Sequence, residues 1–288
     1  MLIFVPMHVE RRLILRRAAQ ITLLGGVTAA LARASAAVGP DRAPARVWTD
    51  PVGLKWVAAQ PAIVRRADWD TVAPTRPLPP PRYADVVKAV FVHHTDSGND
   101  YGLADVPSII WSIHDDQTGR RGWDDIGYNF LVDRFGTVYE GRHGGVDRPV
   151  IGAHCSGFNQ RTAGIAAIGT FTDGASPTPA MLRSIAALAA WKLSLHGVAA
   201  QASTTLTCSD SDSRYQAGSR AGFAVVSGHT DADCTYCPGS TLYAALPGIR
   251  LAAARIQQSS DHPVFGSTAP VLQPKPSGSG CPHAPACG

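Results

Sequence analysis

Two short stretches of the sequence carry side chains that could hold a metal ion. In SGHTDADCTYCPGS, residues 227–240, His229 and Cys237 lie eight residues apart, and Thr235 stands two residues before the cysteine. The other stretch is the VHHT of residues 92–95, which could supply a third ligand. Imidazole and thiolate are good ligands for Zn²⁺, and a catalytic zinc site combines three protein ligands with a water. A buried histidine and a disulfide-bonded cysteine would give the same pattern, so these residues alone leave both interpretations open.

The VHHT ends the segment KAVFVH, residues 88–93, which is apolar and β-branched as in a strand buried on both faces. Side chains alternate faces along a strand, so His93 and His94 must point in opposite directions. Only one of them can serve a site on a given face. We expect the other to be a hydrogen-bonded structural histidine.

Tyr128 follows Gly127 at the start of a second predicted strand, residues 128–133. Alternation predicts that Tyr128 shares a face with Phe130 and Val132. A tyrosine at this position could offer its hydroxyl to a cleft, although an aromatic residue there is more often part of the core.

Further elements alternate along the chain. Strands are predicted at 137–140, 163–170 and 223–227, and helices at 106–117 and 179–196. Thr178 is the expected N-cap of the second helix, and a third helix should follow Ser240, bent or restarted at Pro247. Strands interleaved with helices predict an α/β domain with a mixed central β-sheet flanked by helices.

The ends of the chain differ from its middle in composition. Residues 1–36 carry five arginines against one glutamate, which equals the formal charge of +4 of all 288 residues, so the remainder gives no electrostatic argument for nucleic acid. With its apolar run and Ala-Ser-Ala site, this segment predicts an export signal of either the twin-arginine or the general secretory type. We expect a linker at 37–62, one domain at 63–258 and a Pro/Gly/Ser-rich tail at 259–288.

Export permits disulfides among the six cysteines. If Cys237 binds a metal it stays unpaired. Cys208 and Cys234 flank an irregular segment, 197–222, and are the first choice for a bridge. Cys281 and Cys287 are expected to pair within the tail, which leaves Cys155 as a buried free thiol.

Four motifs in sequence order resemble one known family. They are VFVHHT, GWDDIGYNFLVDRFGTVYEGR, VIGAHCSGFNQRTAGIAAIGTF and SGHTDADCTYCPG. Their order and spacing resemble the zinc-dependent N-acetylmuramoyl-L-alanine amidases of the peptidoglycan recognition protein type, which are related to a phage lysozyme. The similarity covers roughly residues 63–255 and implies the peptidoglycan recognition protein, or type 2 amidase, fold.

The resemblance also implies roles for individual residues. It assigns His93, His229 and Cys237 as the ligands of one Zn²⁺ per chain. It matches Tyr128 and Thr235 to active-site positions whose hydroxyls would donate to the oxyanion. Four further positions match the surroundings of the substrate groove: Trp123, Arg142, His154 and Asn159.

The implied reaction is hydrolysis of the amide that joins N-acetylmuramic acid to L-alanine in peptidoglycan. Bound Zn²⁺ lowers the pKa of water from about 15.7 to near 7 and polarises the amide carbonyl. Two departures from the family pattern stand out. Thr230 replaces the usual arginine after the histidine of the GH motif, and Cys234 is an extra thiol that could form a bridge to Cys237 and destroy the site.

Two other function classes remain open. A non-catalytic peptidoglycan-binding module would keep the groove but lose a ligand, and a wall-structural protein would need repeats or a long attachment region. We expect a monomer that is secreted to the cell wall, with peptidoglycan as partner, no nucleic acid and no membrane span in the mature protein. His114 and His143 receive no role here and are expected to be solvated and loop-exposed, respectively.

Overall fold

The computed structural model describes residues 57–70, 78–172 and 174–259. The predicted signal, the predicted bridge between Cys281 and Cys287, and most of the predicted linker and tail lie outside these residues. None of the helices in the described ranges is long and apolar enough to cross a membrane.

Strands and helices alternate through the described residues. The strands are β1 Ile63–Val64, β2 Ala89–His94, β3 Phe130–Val132, β4 Val138–Glu140, β5 Thr162–Ala167, β6 Ser203–Thr207, β7 Arg220–Ala224 and β8 Val226–Gly228. The helices are α1 Arg66–Trp69, α2 Val106–Asp115, α3 Pro179–Ser194, α4 His229–Ala232 and α5 Ser240–Ser259. A single 3₁₀ turn, Leu103–Asp105, precedes α2, and a π-helical turn, Asp116–Arg120, continues it.

Six strands form one mixed sheet in the order β1-β4-β3-β5-β2-β8. The β3–β4 pair is antiparallel and the other neighbours are parallel. β6 and β7 form a separate antiparallel hairpin. The predicted α/β class with a mixed central sheet flanked by helices is therefore confirmed.

The two faces of the sheet bury different sets of side chains. Val90 and Val92 of β2 face a core built with α3 and α5, whereas Phe91 faces the β6–β7 hairpin. On that second side, Leu131 of β3 packs against Ile110 of α2. Alternation along β2 therefore places the two histidines at its end in different environments.

Several local predictions are confirmed or corrected by the structure. The Thr178 hydroxyl accepts the Met181 amide at 3.1 Å, which confirms it as the N-cap of α3. The predicted strand at 223–227 is two strands that separate at Val225, because Phe223 pairs with β6 whereas Val226 pairs with β2. The segment 197–222, predicted to be irregular, contains β6.

Two further positions depart from the sequence-based expectation. Tyr128 lies before β3 begins, so strand alternation does not apply to it, and it clusters with Leu131 rather than with Phe130. The packed domain also starts before Ile63, because Ala58 is buried and its amide donates to the Ser194 hydroxyl at 2.9 Å.

Candidate metal centre

Two parallel strands place two of the predicted ligands side by side. β2 ends with His93 and His94, and β8 is followed at once by His229, the first residue of α4. Val92 pairs with Gly228, so the next residue on each strand, His93 and His229, emerge together at the carboxyl edge of the sheet. The Thr230 amide donates to the Cys237 carbonyl at 2.9 Å and ties the cysteine to the same corner.

The spacing of the three ligand atoms fits a zinc ion. The ligand atoms of His93, His229 and Cys237 all lie within 4.8 Å of one another. Cys237 Sγ is 3.7 Å from His93 Nδ1, and the rings of His93 and His229 are 4.4 Å apart. Tetrahedral coordination with usual zinc bond lengths requires about 3.6 Å between a sulfur and a nitrogen ligand. Zinc would therefore be held by these three side chains.

The surroundings of Cys237 suit a thiolate. The residue is fully buried and keeps its thiol, so the bridge to Cys234 that would destroy the site does not form. The His94 amide donates to Cys237 Sγ at 3.3 Å, which favours negative charge on sulfur. His94 itself accepts the Phe171 amide on Nδ1 at 3.3 Å, as expected of a structural histidine on the opposite face.

A second histidine fixes the ring of His93. His93 Nε2 and His154 Nδ1 share a hydrogen bond of 3.1 Å, which leaves His93 Nδ1 towards the sulfur. Burial, reinforced by the charges of His229 and His154, holds the pKa of His93 well below its usual range. Burial likewise lowers the pKa of His154 to about 3. Both imidazoles are therefore neutral, the form in which histidine binds a metal.

His154 is in turn held by Asn159. The Asn159 side-chain oxygen accepts the amides of His154 and Cys155 at 2.7 and 3.0 Å. Outer hydrogen bonds of this type orient metal ligands. These two predicted groove residues thus lie behind His93 in the structure.

A cleft adjoins the metal centre at Tyr128. The Tyr128 ring lies 5.4 Å from the ring of His93. The cleft has a volume of about 370 Å³ and is lined by Thr95, Ser97, Ile109, Ser112, Ile113, Asp116, Gln117 and Tyr128. On the loop that carries the sulfur, the Thr235 hydroxyl oxygen accepts the Cys237 amide at 3.1 Å.

The other two predicted groove residues support the segment that leads to Tyr128. The Arg142 guanidinium donates to the carbonyls of Ile126 and Asp125 at 3.0 and 3.3 Å. Trp123 is half-buried and lies so close to Gly127 that a Cβ there would come within 3.0 Å of the indole. The structure brings both residues to the backbone before Tyr128.

Sequence reasoning missed a buried carboxylate at the base of this segment. Asp125 is fully buried and accepts Arg66 at 2.9 Å, the His143 ring at 2.7 Å and the Ile126 amide at 2.7 Å. His114 Nε2 lies 3.4 Å away. His114 is therefore buried rather than solvated, and His143 is fixed rather than loop-exposed. The partners of Asp125 come from distant parts of the chain, and no local sequence pattern predicts them.

The balance of charges around Asp125 favours its ionised form. Burial by itself raises the pKa of Asp125. The neighbouring His114 ring, the hydrogen bonds from His143 and the charge of Arg66 outweigh burial and hold the pKa of Asp125 far below its usual range.

The cysteines outside the candidate site are only partly as expected. Cys155 is a buried free thiol, which confirms the prediction. Cys208 also keeps its thiol, which donates to the Asp210 carbonyl at 3.0 Å within its own loop. The predicted bridge between Cys208 and Cys234 is therefore wrong.

Comparisons with known proteins agree with this geometry. The family model described as N-acetylmuramoyl-L-alanine amidase matches residues 83–240, more than half of the chain. A peptidoglycan-recognition protein of Drosophila melanogaster is 34% identical over 118 residues, which are 40% of this chain and 60% of that protein. The N-acetylmuramoyl-L-alanine amidase of Sus scrofa is 35% identical over 129 residues, 43% of this chain and 20% of that protein.

Comparison with solved structures covers a larger share of the matched protein. The structure of bumblebee PGRP-SA matches with a TM-score of 0.50 and 26% identity, covering 65% of this chain and 95% of that one. The matches to the two curated relatives span about 60% and 20% of their lengths. The chain belongs to the family of N-acetylmuramoyl-L-alanine amidases and peptidoglycan recognition proteins.

Proposed function

We propose that the protein is a zinc-dependent N-acetylmuramoyl-L-alanine amidase that is exported and acts on peptidoglycan. One observation carries the proposal: two imidazoles and a thiol converge at the spacing that zinc requires, and Tyr128, whose ring lies beside His93, lines a cleft. The family includes members named for recognition alone, so membership by itself does not decide between cutting and binding.

The environment of Cys237 favours catalysis over recognition alone. A recognition module has no need of a buried thiol that receives a backbone N–H and lies 3.7 Å from an imidazole nitrogen. A buried thiolate is costly unless a cation neutralises it. These contacts support a resident zinc ion as the reason for the arrangement.

The metal and the side chains of the protein would have separate roles in the reaction. Zinc, when bound, lowers the pKa of water to near 7 and polarises a carbonyl. The net change adds the hydroxyl of water to the lactyl carbonyl carbon, breaks the carbon–nitrogen bond, and leaves the proton on the L-alanine nitrogen. Tyr128, beside His93, and Thr235, two residues from the sulfur, would donate hydroxyl hydrogen bonds to the negative charge that develops on the carbonyl oxygen.

The lining of the cleft suits a peptide rather than a purely sugar substrate. Ile109 and Ile113 offer an apolar surface, and Thr95, Ser97 and Ser112 offer hydroxyls around it. Mixed apolar and hydrogen-bonding walls of this type bind small organic ligands and short peptides. The stem peptide of peptidoglycan would lie here with its first amide at the metal.

Product analysis tests the proposal. The zinc-loaded protein is incubated with peptidoglycan and with a soluble muramyl peptide, and new L-alanine amino termini are quantified by mass spectrometry. We expect release that a chelator abolishes and added zinc restores. Tight binding of peptidoglycan with no new amino termini would instead establish a recognition module.

A further inference from the structure

The loop between β6 and β7, residues 208–219, lies against the segment that carries His229. Two of its residues make the contacts. Arg214 N donates to Ala232 O at 3.0 Å, Arg214 Nη2 donates to Thr230 O at 3.0 Å and to Asp233 O at 3.2 Å, and Tyr215 Oη reaches Asp231 O at 3.5 Å. Four consecutive carbonyls, 230–233, thus face two residues of one loop.

These contacts compensate for the shortness of α4. The carbonyls at a helix C-terminus lack partners within the helix, and a helix of one turn is not stable alone. α4 has only four residues, so its geometry must come from its neighbours. An arginine at a helix C-terminus both donates to the last carbonyls and interacts favourably with the helix dipole.

Residues 229–233, which the loop contacts, include one of the candidate metal ligands. His229 is the first of these residues, and Asp233 Oδ2 lies 3.5 Å from His229 Nε2. A carboxylate beside a ring nitrogen restricts the orientations that a metal-binding histidine can adopt. Arg214 binds the carbonyl of Asp233 itself, so it fixes the backbone from which that carboxylate extends.

The loop is ordered before it reaches α4. The Tyr215 ring packs edge-on against Phe158 and Phe223, with centroids 5.6 and 5.9 Å apart. The Ser213 hydroxyl lies 3.1 Å from Cys208 Sγ and donates to the Tyr215 carbonyl at 2.9 Å. The packing of Tyr215 and the hydrogen bonds of Ser213 therefore hold the backbone of Arg214 in place.

We propose that Arg214 is a positioning residue of the metal centre, which holds His229 and Asp233 in the geometry that binds zinc without touching the metal. This inference rests on the proposed function only in taking the centre to bind zinc.

Zinc affinity of Arg214→Met tests the inference without any assay of activity. Competition with a chromogenic chelator should show about 10- to 100-fold weaker binding than the parent, the usual effect of losing an outer contact. Arg220→Met is the matched control, because Arg220 is an exposed arginine of the same hairpin, and it should bind zinc like the parent. Arg214→Lys should restore part of the affinity, since an ammonium can reach one or two of the carbonyls.

Two further measurements separate positioning from simple stability. Cobalt(II) replaces zinc, and the absorption of the Arg214→Met variant should shift because the His229 geometry changes. Thermal unfolding of the metal-free variants should show a folded Arg214→Met protein at the assay temperature. Parent-like affinity and an unchanged cobalt spectrum would overturn the inference, as would a loss of affinity that merely follows the unfolded fraction.

The outcomes for the two proposals are distinct. A parent that binds zinc tightly but releases no L-alanine amino termini refutes the amidase and leaves the Arg214 result standing. A parent that binds no zinc overturns both.

Discussion

His93 and His94 are adjacent in sequence but lie in different surroundings. His93 faces the metal centre and shares a hydrogen bond with His154, whereas His94 accepts a backbone amide on the core side. At the scale of single residues, the candidate site is a set of imidazoles around one thiol. Burial lowers the pKa of His93 and of His154 and keeps these two rings neutral, and the hydrogen bond from the His94 amide favours negative charge on Cys237 Sγ.

Removing one hydroxyl tests the role of Tyr128. Tyr128→Phe should lower kcat by about 10²- to 10³-fold, the usual cost of losing one hydrogen-bond donor to a developing oxyanion. Its zinc content should match that of the parent, because the hydroxyl is not a ligand. Tyr83→Phe is the control, since that hydroxyl donates to the Gly144 carbonyl away from the cleft. Parent-like kcat in Tyr128→Phe would exclude its hydroxyl from the reaction.

At the scale of elements, Asp125 joins three parts of the chain. It binds Arg66 of α1, approaches His114 of α2, and accepts both the ring and the amide of His143. Tyr128 follows three residues later, so this junction sets the path of the chain into the cleft. The carboxylate is fully buried, and breaking a buried ion pair leaves an uncompensated charge.

Asp125→Asn should therefore lower the free energy of unfolding by about 3–5 kcal/mol at neutral pH. The folded pKa of Asp125 is depressed, so its stabilisation is complete above the unfolded pKa of about 3.9 and is lost as the pH falls below it. Denaturant titrations between neutral pH and pH 3 should show a shallower acid loss in the variant than in the parent.

Asp85→Asn provides the comparison for that experiment. Asp85 pairs with Arg161 at the surface, where ion pairs contribute about 0–1 kcal/mol. Equal destabilisation by the two substitutions would contradict the structural role of Asp125.

The sequence was sufficient to predict some of this arrangement. Local patterns predicted β2, the opposed histidines and the Thr178 cap, and the motifs pointed to the three residues that cluster at the candidate metal centre. Contacts between distant residues could not be predicted in the same way. Arg66 and Asp125 are 59 residues apart, and Arg214 meets Thr230 only because the β6–β7 hairpin folds over α4. The break between β7 and β8 likewise depends on which strand each half pairs with.

At the scale of the whole molecule, the metal centre joins segments that are far apart in sequence. His93 and Cys237 are 144 residues apart in sequence. His93 belongs to β2 of the central sheet, and Cys237 lies in the loop that precedes α5. A ligand that binds only the folded state stabilises it by mass action, by about 2.7 kcal/mol at 100 times its Kd. Zinc should therefore stabilise the folded state by linking the central sheet to the loop before α5.

Metal removal should lower Tm by several degrees. A change of 1 kcal/mol shifts Tm by roughly 2–4 °C in a domain of this size. Calorimetry of the zinc-loaded and chelated protein measures the shift, and calcium in place of zinc is the control. Identical Tm values with and without zinc would contradict a zinc centre that links these segments.

Zinc stoichiometry and amide hydrolysis, measured together on the parent, Cys237→Ser and Cys208→Ser, test the central claim most directly. Cys208 is a buried thiol that does not belong to the candidate ligand set, and serine in its place keeps a hydrogen-bond donor for the Asp210 carbonyl, so this variant controls for the loss of a thiol from the core. We predict one zinc per chain and release of L-alanine amino termini by the parent and Cys208→Ser, and neither by Cys237→Ser. A Cys237→Ser protein that keeps its zinc and cuts at the rate of the parent would contradict the account.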